Sequence, residues 1–372
     1  MSPHFPTPAW QELLTAVIVH NASDLHLTEG VAAYLRVDNE LRAFPELCQG
    51  KGEIDQLLKD LLSPSQREKY HALSQLDLAF FSPGHGRFRV NLYRQRGSSA
   101  LAVRRLDENY RSFDALHLPV QLEALTRFPD GLVLVTGPTG SGKSTTLATM
   151  LHQINLFRAC HIITIEDPIE YIHHNHNSLV HQREVHSDVP SFAAAVTAAL
   201  REDPDVLLVG EMRDLETMRA TLIAAETGHL VFSTLHTNDV PGTISRLVNA
   251  FPGDEQILVR EQLSRGLRAI VSQRLQTVSG GRGRVPICEI LRVTPAVANL
   301  IRTGQLHQLT SQMQTGSAEG MLIAEQSLAE CVVKGQLTKG EALRLARDES
   351  IFEQRLQMTA NQPRGFPLLA RK

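Results

Sequence analysis

The sequence predicts a two-domain α/β protein, and three observations carry that reading. Up to Leu106, short alternating or apolar runs are separated by turns and by helical stretches. Residues 107–119 are polar, lack periodicity and end in a proline. Beyond them, short apolar runs alternate with glycine loops and helices, the pattern of a mostly parallel sheet whose crossovers cover both faces. The expected division is a first domain over residues 1–106, a linker over 107–119 and a second domain over 120–355 with helices at its end. A disordered tail is expected over 356–372.

Each element has a local reason. Residues 10–20 space their apolar positions as a short amphipathic helix. Residues 24–27, 32–37, 76–81, 86–93 and 100–106 read as strands. Residues 54–62 and 64–71 read as helices, with Ser63 or Ser65 available as an N-cap. In the second domain 131–136, 161–165, 206–209 and 230–234 are short apolar runs bounded by turn or acidic residues, and 144–155 reads as a helix. From Val240 onward the chain reads as largely helical, with helices over 255–276, 295–303 and 324–333, and Gly280, Gly281 and Gly283 marking a loop.

Composition bounds the function. The 372 residues are 42% hydrophobic and 21% charged, a globular balance. A net charge of −3 and a pI near 6.6 argue against a general nucleic-acid binder, and no nucleic-acid partner is expected. No stretch approaches the ~20 apolar residues of a transmembrane helix, and the N-terminus carries no secretory pattern, so a cytoplasmic location is expected. Cys48, Cys160, Cys288 and Cys331 are scattered and form no Cys-x-x-Cys pair, which excludes a clustered zinc module.

The chemistry concentrates at Gly137-Pro138-Thr139-Gly140-Ser141-Gly142-Lys143-Ser144, followed by Thr145. This is the P-loop pattern in its required context, an apolar strand before and a helix after. Gly140 and Gly142 let backbone N–H groups turn inward where side chains would meet phosphate oxygens. Lys143 is placed for the β- and γ-phosphates of ATP, and the Ser144 hydroxyl for Mg²⁺. Two acidic strand ends come after it in the chain. Glu211 ends an apolar run and is a candidate for holding Mg²⁺ through water or orienting the attacking water. Glu166, Asp167 and Glu170 follow another run, and Glu170 and Glu211 are not separable as general base by chemistry alone. His229 and His236 flank residues 230–234 and are candidates for sensing the γ-phosphate or an adjacent subunit. His173, His174, His176, His181 and His186 are expected in a solvated loop rather than at a metal.

Four segments together resemble the secretion-superfamily ATPases: GPTGSGKST at 137–145, ITIEDPIEYIH at 163–173, DPDVLLVGEMRD at 203–214 and ETGHLVFSTLHT at 226–237. In that family these are the Walker A, Asp box, Walker B and His box. The resemblance implies a RecA-like ATPase domain preceded by a PAS-like domain that supplies arginines to the nucleotide. Arg89 and Arg104 match that role by position, with Arg94, Arg96 and Arg105 close enough to leave the choice open. It also implies that Asp167 and His229 lie at the nucleotide and His236 in the catalytic set.

Within the superfamily the chain looks most like the type IV pilus retraction ATPases of twitching motility, being short and lacking the tetracysteine module. Residues 296–302, AVANLIR, resemble that family's AIRNLIRE motif but carry Ala298 where it has arginine, with Thr303 where it has glutamate. The resemblance further implies a homo-hexamer that hydrolyses ATP with Mg²⁺, hinged at 107–119. Such a ring would act on a pilus platform protein at the inner membrane, with a second pilus ATPase as a further candidate partner. The alternatives are a pilus-extension or type II secretion ATPase, and an accessory nucleotide-binding scaffold.

Overall fold

The computed structural model describes residues 8–37, 40–50, 52–106, 110–281 and 283–361. Its contacts divide the chain into two units, one of Met1–Asn109 with Pro168–Ile172 and one of Tyr110–Asp167 with His173–Lys372.

Among the described residues the first unit is a six-stranded antiparallel sheet with three α-helices. Its strands are β1 (Asp24–Thr28), β2 (Ala33–Val37), β3 (Glu40–Phe44), β4 (Gln75–Ser82), β5 (Gly86–Gln95) and β6 (Ser98–Arg105), in the order β3-β2-β1-β6-β5-β4. Period-2 alternation sends Leu25, Leu27, Leu35, Val90, Leu92, Leu101 and Val103 to one buried face. The helix Pro8–Val19 covers that face through Trp10, Leu13, Leu14 and Val17, an i, i+3, i+4, i+7 stripe. Trp10 adds a hydrogen bond from its indole N–H to the Leu57 carbonyl at 3.0 Å. Ser63 caps the helix Pro64–Leu73 in a reciprocal capping box with Gln66. The strand β3, absent from the sequence reading, is exposed along most of its length and so shows no alternation of burial.

The second unit is built on seven strands: β7 (Gly131–Thr136), β8 (His161–Glu166), β9 (Leu179–Glu184), β10 (Val206–Val209), β11 (Leu230–Leu235), β12 (Leu267–Thr277) and β13 (Arg284–Arg292). Their order is β13-β12-β7-β11-β10-β8-β9. Every pairing is parallel except β12 with β13. The four central strands β7, β8, β10 and β11 are apolar and buried, because helices cover both faces.

Three expectations are corrected here. The helix read over 255–276 stops at Gly266, and the chain continues as β12, parallel to β7. Leu267, Ala269, Ile270 and Val271 are all buried there, a run whose periodicity does not separate a central strand from a buried helix. The polar linker is shorter than expected, since Phe113 and Leu118 join the core of the second unit; 107–109 lie outside the described residues. The chain is also helical past residue 355. The helix Glu349–Ala360 is capped by Asp348 and anchored by the fully buried Phe352, while 362–372 lie outside the described residues. Among the described residues no helix is long and apolar enough to cross a membrane.

Candidate functional site

The carboxyl ends of the parallel strands gather the chemistry on one edge of the second unit. In register, Thr136 of β7 pairs with Leu235 of β11, Ser233 of β11 with Val209 of β10, and Val209 with Ile165 of β8. The P-loop, His236, Glu211 and the pair Glu166–Asp167 therefore leave neighbouring strands side by side, where open parallel sheets bind ligands.

The loop between Thr136 and the helix Lys143–Phe157 is held in a conformation that demands glycine. Gly137, Gly140 and Gly142 have φ of 142°, 77° and 87°. A Cβ on Gly137 would lie 2.0 Å from the Gln273 carbonyl oxygen, and one on Gly142 would lie 2.9 Å from Gln273 Nε2. A Cβ on Gly140 would meet nothing within 4 Å, so that side of the loop is open.

Gly142 starts the helix in a left-handed conformation with no side-chain cap, leaving the first-turn N–H groups and the positive end of the helix for an anion. Lys143 is buried, and its Nζ donates to the carbonyls of Gly137 at 2.9 Å and Pro138 at 3.0 Å. The uncapped helix start, the open side at Gly140 and the ammonium within the loop together suit a phosphate chain. Ser144 is exposed at the first turn, available to a cation. Pro138 and Thr139 complete the loop, and Thr145 is half-buried behind it.

Sequence reading missed the residue that straps this loop. Gln273 of β12 is buried, donates from Nε2 to the Ser141 carbonyl at 2.7 Å, and accepts from the Thr146 hydroxyl at 2.9 Å. It fell in a segment read as helix, and its partners lie 127 and 132 residues away in sequence, so no local signal marks it.

Glu211 is fixed by its strand. The Gly210 N–H donates to the Ile165 carbonyl at 2.8 Å, and the Thr234 hydroxyl donates to the Gly210 carbonyl at 2.7 Å. The Glu211 carboxylate, 15% exposed, meets Arg213 at 2.5 Å through Oε1 and His236 Nε2 at 3.4 Å through Oε2. On β8 the Glu166 Oε1 accepts from Thr164 at 2.7 Å and from Gln182 at 3.2 Å, beside the half-buried Asp167. Glu170 lies in Pro168–Ile172, which groups with the first unit.

His229 does not join this edge. It precedes β11 at the amino end, opposite His236, and its Nδ1 lies 3.0 Å from the Ala224 carbonyl and 3.1 Å from the Thr227 hydroxyl. A six-residue strand spans about 20 Å, so His229 is corrected from a nucleotide contact within this chain to a residue that ends the preceding helix.

In the histidine-rich segment His174, His176, His181 and His186 are exposed as expected, and His173 alone of the five is not. His173 is buried and packs on Tyr110 with ring centroids 5.1 Å apart, and Tyr110 stacks on His152 at 4.3 Å. Burial, with His152 and His174 nearby, drives the His173 pKa down to about 4. His181 on β9 meets His161 at 2.9 Å. Among the described residues no three His, Cys, Asp or Glu side chains converge to hold a metal.

In the first unit, Arg89 and Arg104 stand directly opposite each other on β5 and β6. Arg104 Nε donates to Asp24 Oδ1 at 2.8 Å, and Arg89 lies 3.8 Å from Asp77.

A parallel sheet with a glycine loop and lysine after one strand and a carboxylate after a neighbouring strand defines the class of P-loop nucleotide-binding proteins. Comparison with known proteins makes this specific. Residues 83–344, more than half of the chain, match the family described as Type II/IV secretion system protein, and the chain belongs to that family. It is 44% identical over 336 residues to the type IV pilus retractation ATPase PilT of Pseudomonas aeruginosa, covering 90% of this chain and 97% of that protein. It is 44% identical over 314 residues to the twitching motility protein of Neisseria gonorrhoeae, covering 84% of each. A crystal structure of the pilus retraction motor PilT with bound ADP superposes with a TM-score of 0.85 at 44% identity, covering 92% of this chain and 98% of that one. Within its family the chain is thus PilT-like.

Proposed function

We propose that this chain is an ATP-hydrolysing motor that drives type IV pilus retraction. The observation that carries the reading is the P-loop of 137–145, set beside Glu211 and His236, in a chain 44% identical over 90% of its length to a pilus retraction ATPase. Lys143 and the first-turn N–H groups bind the β- and γ-phosphates, with Pro138, Thr139, Ser141 and Thr145 shaping the loop. Ser144 directly, and Glu211 through water, are the groups that would hold Mg²⁺, which supplies charge neutralisation on the phosphates.

Glu211 or Glu170 orients and deprotonates the attacking water, and His236 holds the Glu211 carboxylate. Asp167 is assigned to the nucleotide site, and Arg89 and Arg104 to the charge that develops on the transferred phosphoryl group. In this reading six copies form a ring in the cytoplasm, docked on a platform protein at the inner membrane, with a second pilus ATPase as a companion.

One observation favours the accessory-scaffold reading. Ala298 and Thr303 sit on the helix Pro295–Thr303, and the exposed Thr303 turns its hydroxyl back onto the Asn299 carbonyl at 2.8 Å, presenting no charge. Steady-state ATPase activity across a protein concentration series, beside Glu211→Ala, separates the two. Turnover that rises with assembly and vanishes in the variant supports an autonomous motor. Background activity in both, with ATP still bound, supports the scaffold.

A further inference from the structure

A buried ionic cluster in the second unit lies against the loop that carries His236, outside the phosphate chemistry described above. Glu289 of β13 is 9% exposed at its side chain. Burial pushes its carboxyl above the ordinary carboxylate range, and the Arg347 guanidinium works against that rise. Arg347 belongs to the bend between the helices Lys339–Leu345 and Glu349–Ala360.

Three contacts fix that bend. Arg347 N–H donates to Glu325 Oε1 at 3.1 Å, and Arg274 Nη2 donates to the Leu345 carbonyl at 2.8 Å. Arg347 Nη1 reaches both oxygens of Glu289, at 3.2 and 3.5 Å.

The same guanidinium grips the loop after β11, its Nη2 donating to the Asn238 carbonyl at 2.9 Å. Next to that carbonyl, Asp239 caps the helix Val240–Asn249 by accepting from the Gly242 N–H at 2.6 Å. Asn238 stands two residues after His236, whose Nε2 is 3.4 Å from Glu211 Oε2. This short loop is therefore anchored by β11 on one side and by the Glu289–Arg347 pair on the other.

We infer that Arg347 is a positioning residue for nucleotide hydrolysis: held by Glu289, it clamps the chain at Asn238 and so holds His236 against Glu211. The inference rests on the reading of Glu211 as the carboxylate that serves hydrolysis. A planar guanidinium suits the role because it bridges a carboxylate and a carbonyl at once, which an ammonium does poorly. The clamp also ties the helices Lys339–Leu345 and Glu349–Ala360 to the site, since their connecting bend supplies the arginine.

The test uses the full chain with Arg347→Gln, Arg347→Lys, His236→Ala, the double variant Arg347→Gln/His236→Ala, and Glu211→Ala. Steady-state ATPase kinetics, ADP affinity and thermal melting are measured for each. Loss of orientation predicts that Arg347→Gln lowers kcat by about tenfold, with KM and ADP affinity within about twofold of wild type. Because Arg347 acts through His236, the double variant is no slower than His236→Ala alone. Arg347→Lys keeps a cation beside Glu289 and falls between wild type and Arg347→Gln; it gives the same comparison if the glutamine variant does not fold.

Multiplying effects of Arg347→Gln and His236→Ala, with Glu211→Ala inactive, would overturn the clamp and leave the reading of the site standing. A parallel fall of kcat, ADP affinity and melting temperature, without recovery in Arg347→Lys, would reduce Arg347 to a structural tie and overturn it too. Wild-type activity in Glu211→Ala would instead overturn the reading of the site, and the clamp with it.

Discussion

Replacing Gln273 by alanine tests whether a distant strand residue holds the phosphate loop. Gln273 is 3% exposed and makes two hydrogen bonds, to the Ser141 carbonyl at 2.7 Å and from the Thr146 hydroxyl at 2.9 Å. Thr146 is itself 1% exposed, so its hydroxyl would lose a partner that water does not easily replace. Two net hydrogen bonds at about 1 kcal/mol each, plus the desolvation left on the orphaned partner, give a loss of about 3 kcal/mol. For a domain of this size each kcal/mol moves the melting temperature by roughly 2–4 °C, so a fall on the order of 10 °C is expected by thermal melting. The freed Ser141 carbonyl lies inside the phosphate loop, so ADP affinity, measured by titration, should fall by about tenfold through lost preorganisation. Gln273→Glu keeps the acceptor for Thr146 but loses the donor to Ser141 and adds a negative charge near the phosphates, so its ADP affinity should fall further. A melting temperature within about 2 °C of wild type with unchanged ADP affinity would refute the strap.

Three further outcomes are expected. Lys143→Ala removes the cation set among the loop carbonyls and should abolish nucleotide binding by titration; retained binding contradicts the P-loop assignment. His173, held near pKa 4 by burial, stays neutral in the fold while the unfolded chain protonates near the ordinary value of 6.5. Its contribution is therefore present above about pH 6.5 and lost as pH falls towards 4, by about 3 kcal/mol in all. His173→Phe should flatten that part of the stability profile in denaturant titrations relative to wild type. Arg89→Ala and Arg104→Ala should each slow hydrolysis in steady-state assays with the fold intact, and Arg104→Ala should also cost about 1–2 kcal/mol in denaturant titrations by stripping a charged partner from Asp24. Unchanged turnover in both defeats the assignment of these arginines.

The phosphate loop was legible because its chemistry needs particular residue types in a fixed order. Glycines at positive φ, a lysine and a strand–loop–helix context leave few other readings. The strands β8, β10 and β11 were legible for a related reason: short, fully buried apolar runs with polar ends have few places to go but the centre of a parallel sheet. The strand β12 was not, since Leu267, Ala269, Ile270 and Val271 carry no period that separates strand from helix. With β12 misread, Gln273 was hidden too, because its place beside the P-loop is created only by the β7–β12 pairing. His229 illustrates the opposite case. Residues flanking one strand stand at its two ends, so the sequence already separated His229 from His236 by the length of β11. Family position assigned both to the nucleotide, and strand geometry separates them.

The arginines of the first unit break a local pairing rule of sheets. Arg36, Asp24, Arg104 and Arg89 occupy one register row across β2, β1, β6 and β5. Arg89 and Arg104 are directly opposed, an arrangement that costs roughly 0.2–1 kcal/mol between like charges. Asp24 offsets part of this. Burial pushes its carboxyl up, yet hydrogen bonds from Arg104 and Ser23 and the charge of Arg104 hold it below the ordinary carboxylate range. Asp24 serves Arg104 and Arg36, however, and not Arg89. The partner of Arg89 is Asp77, 3.8 Å away and half exposed, a pair of little worth in water. A neutral residue at Arg89 would therefore remove the repulsion across β5 and β6 at little cost to the fold.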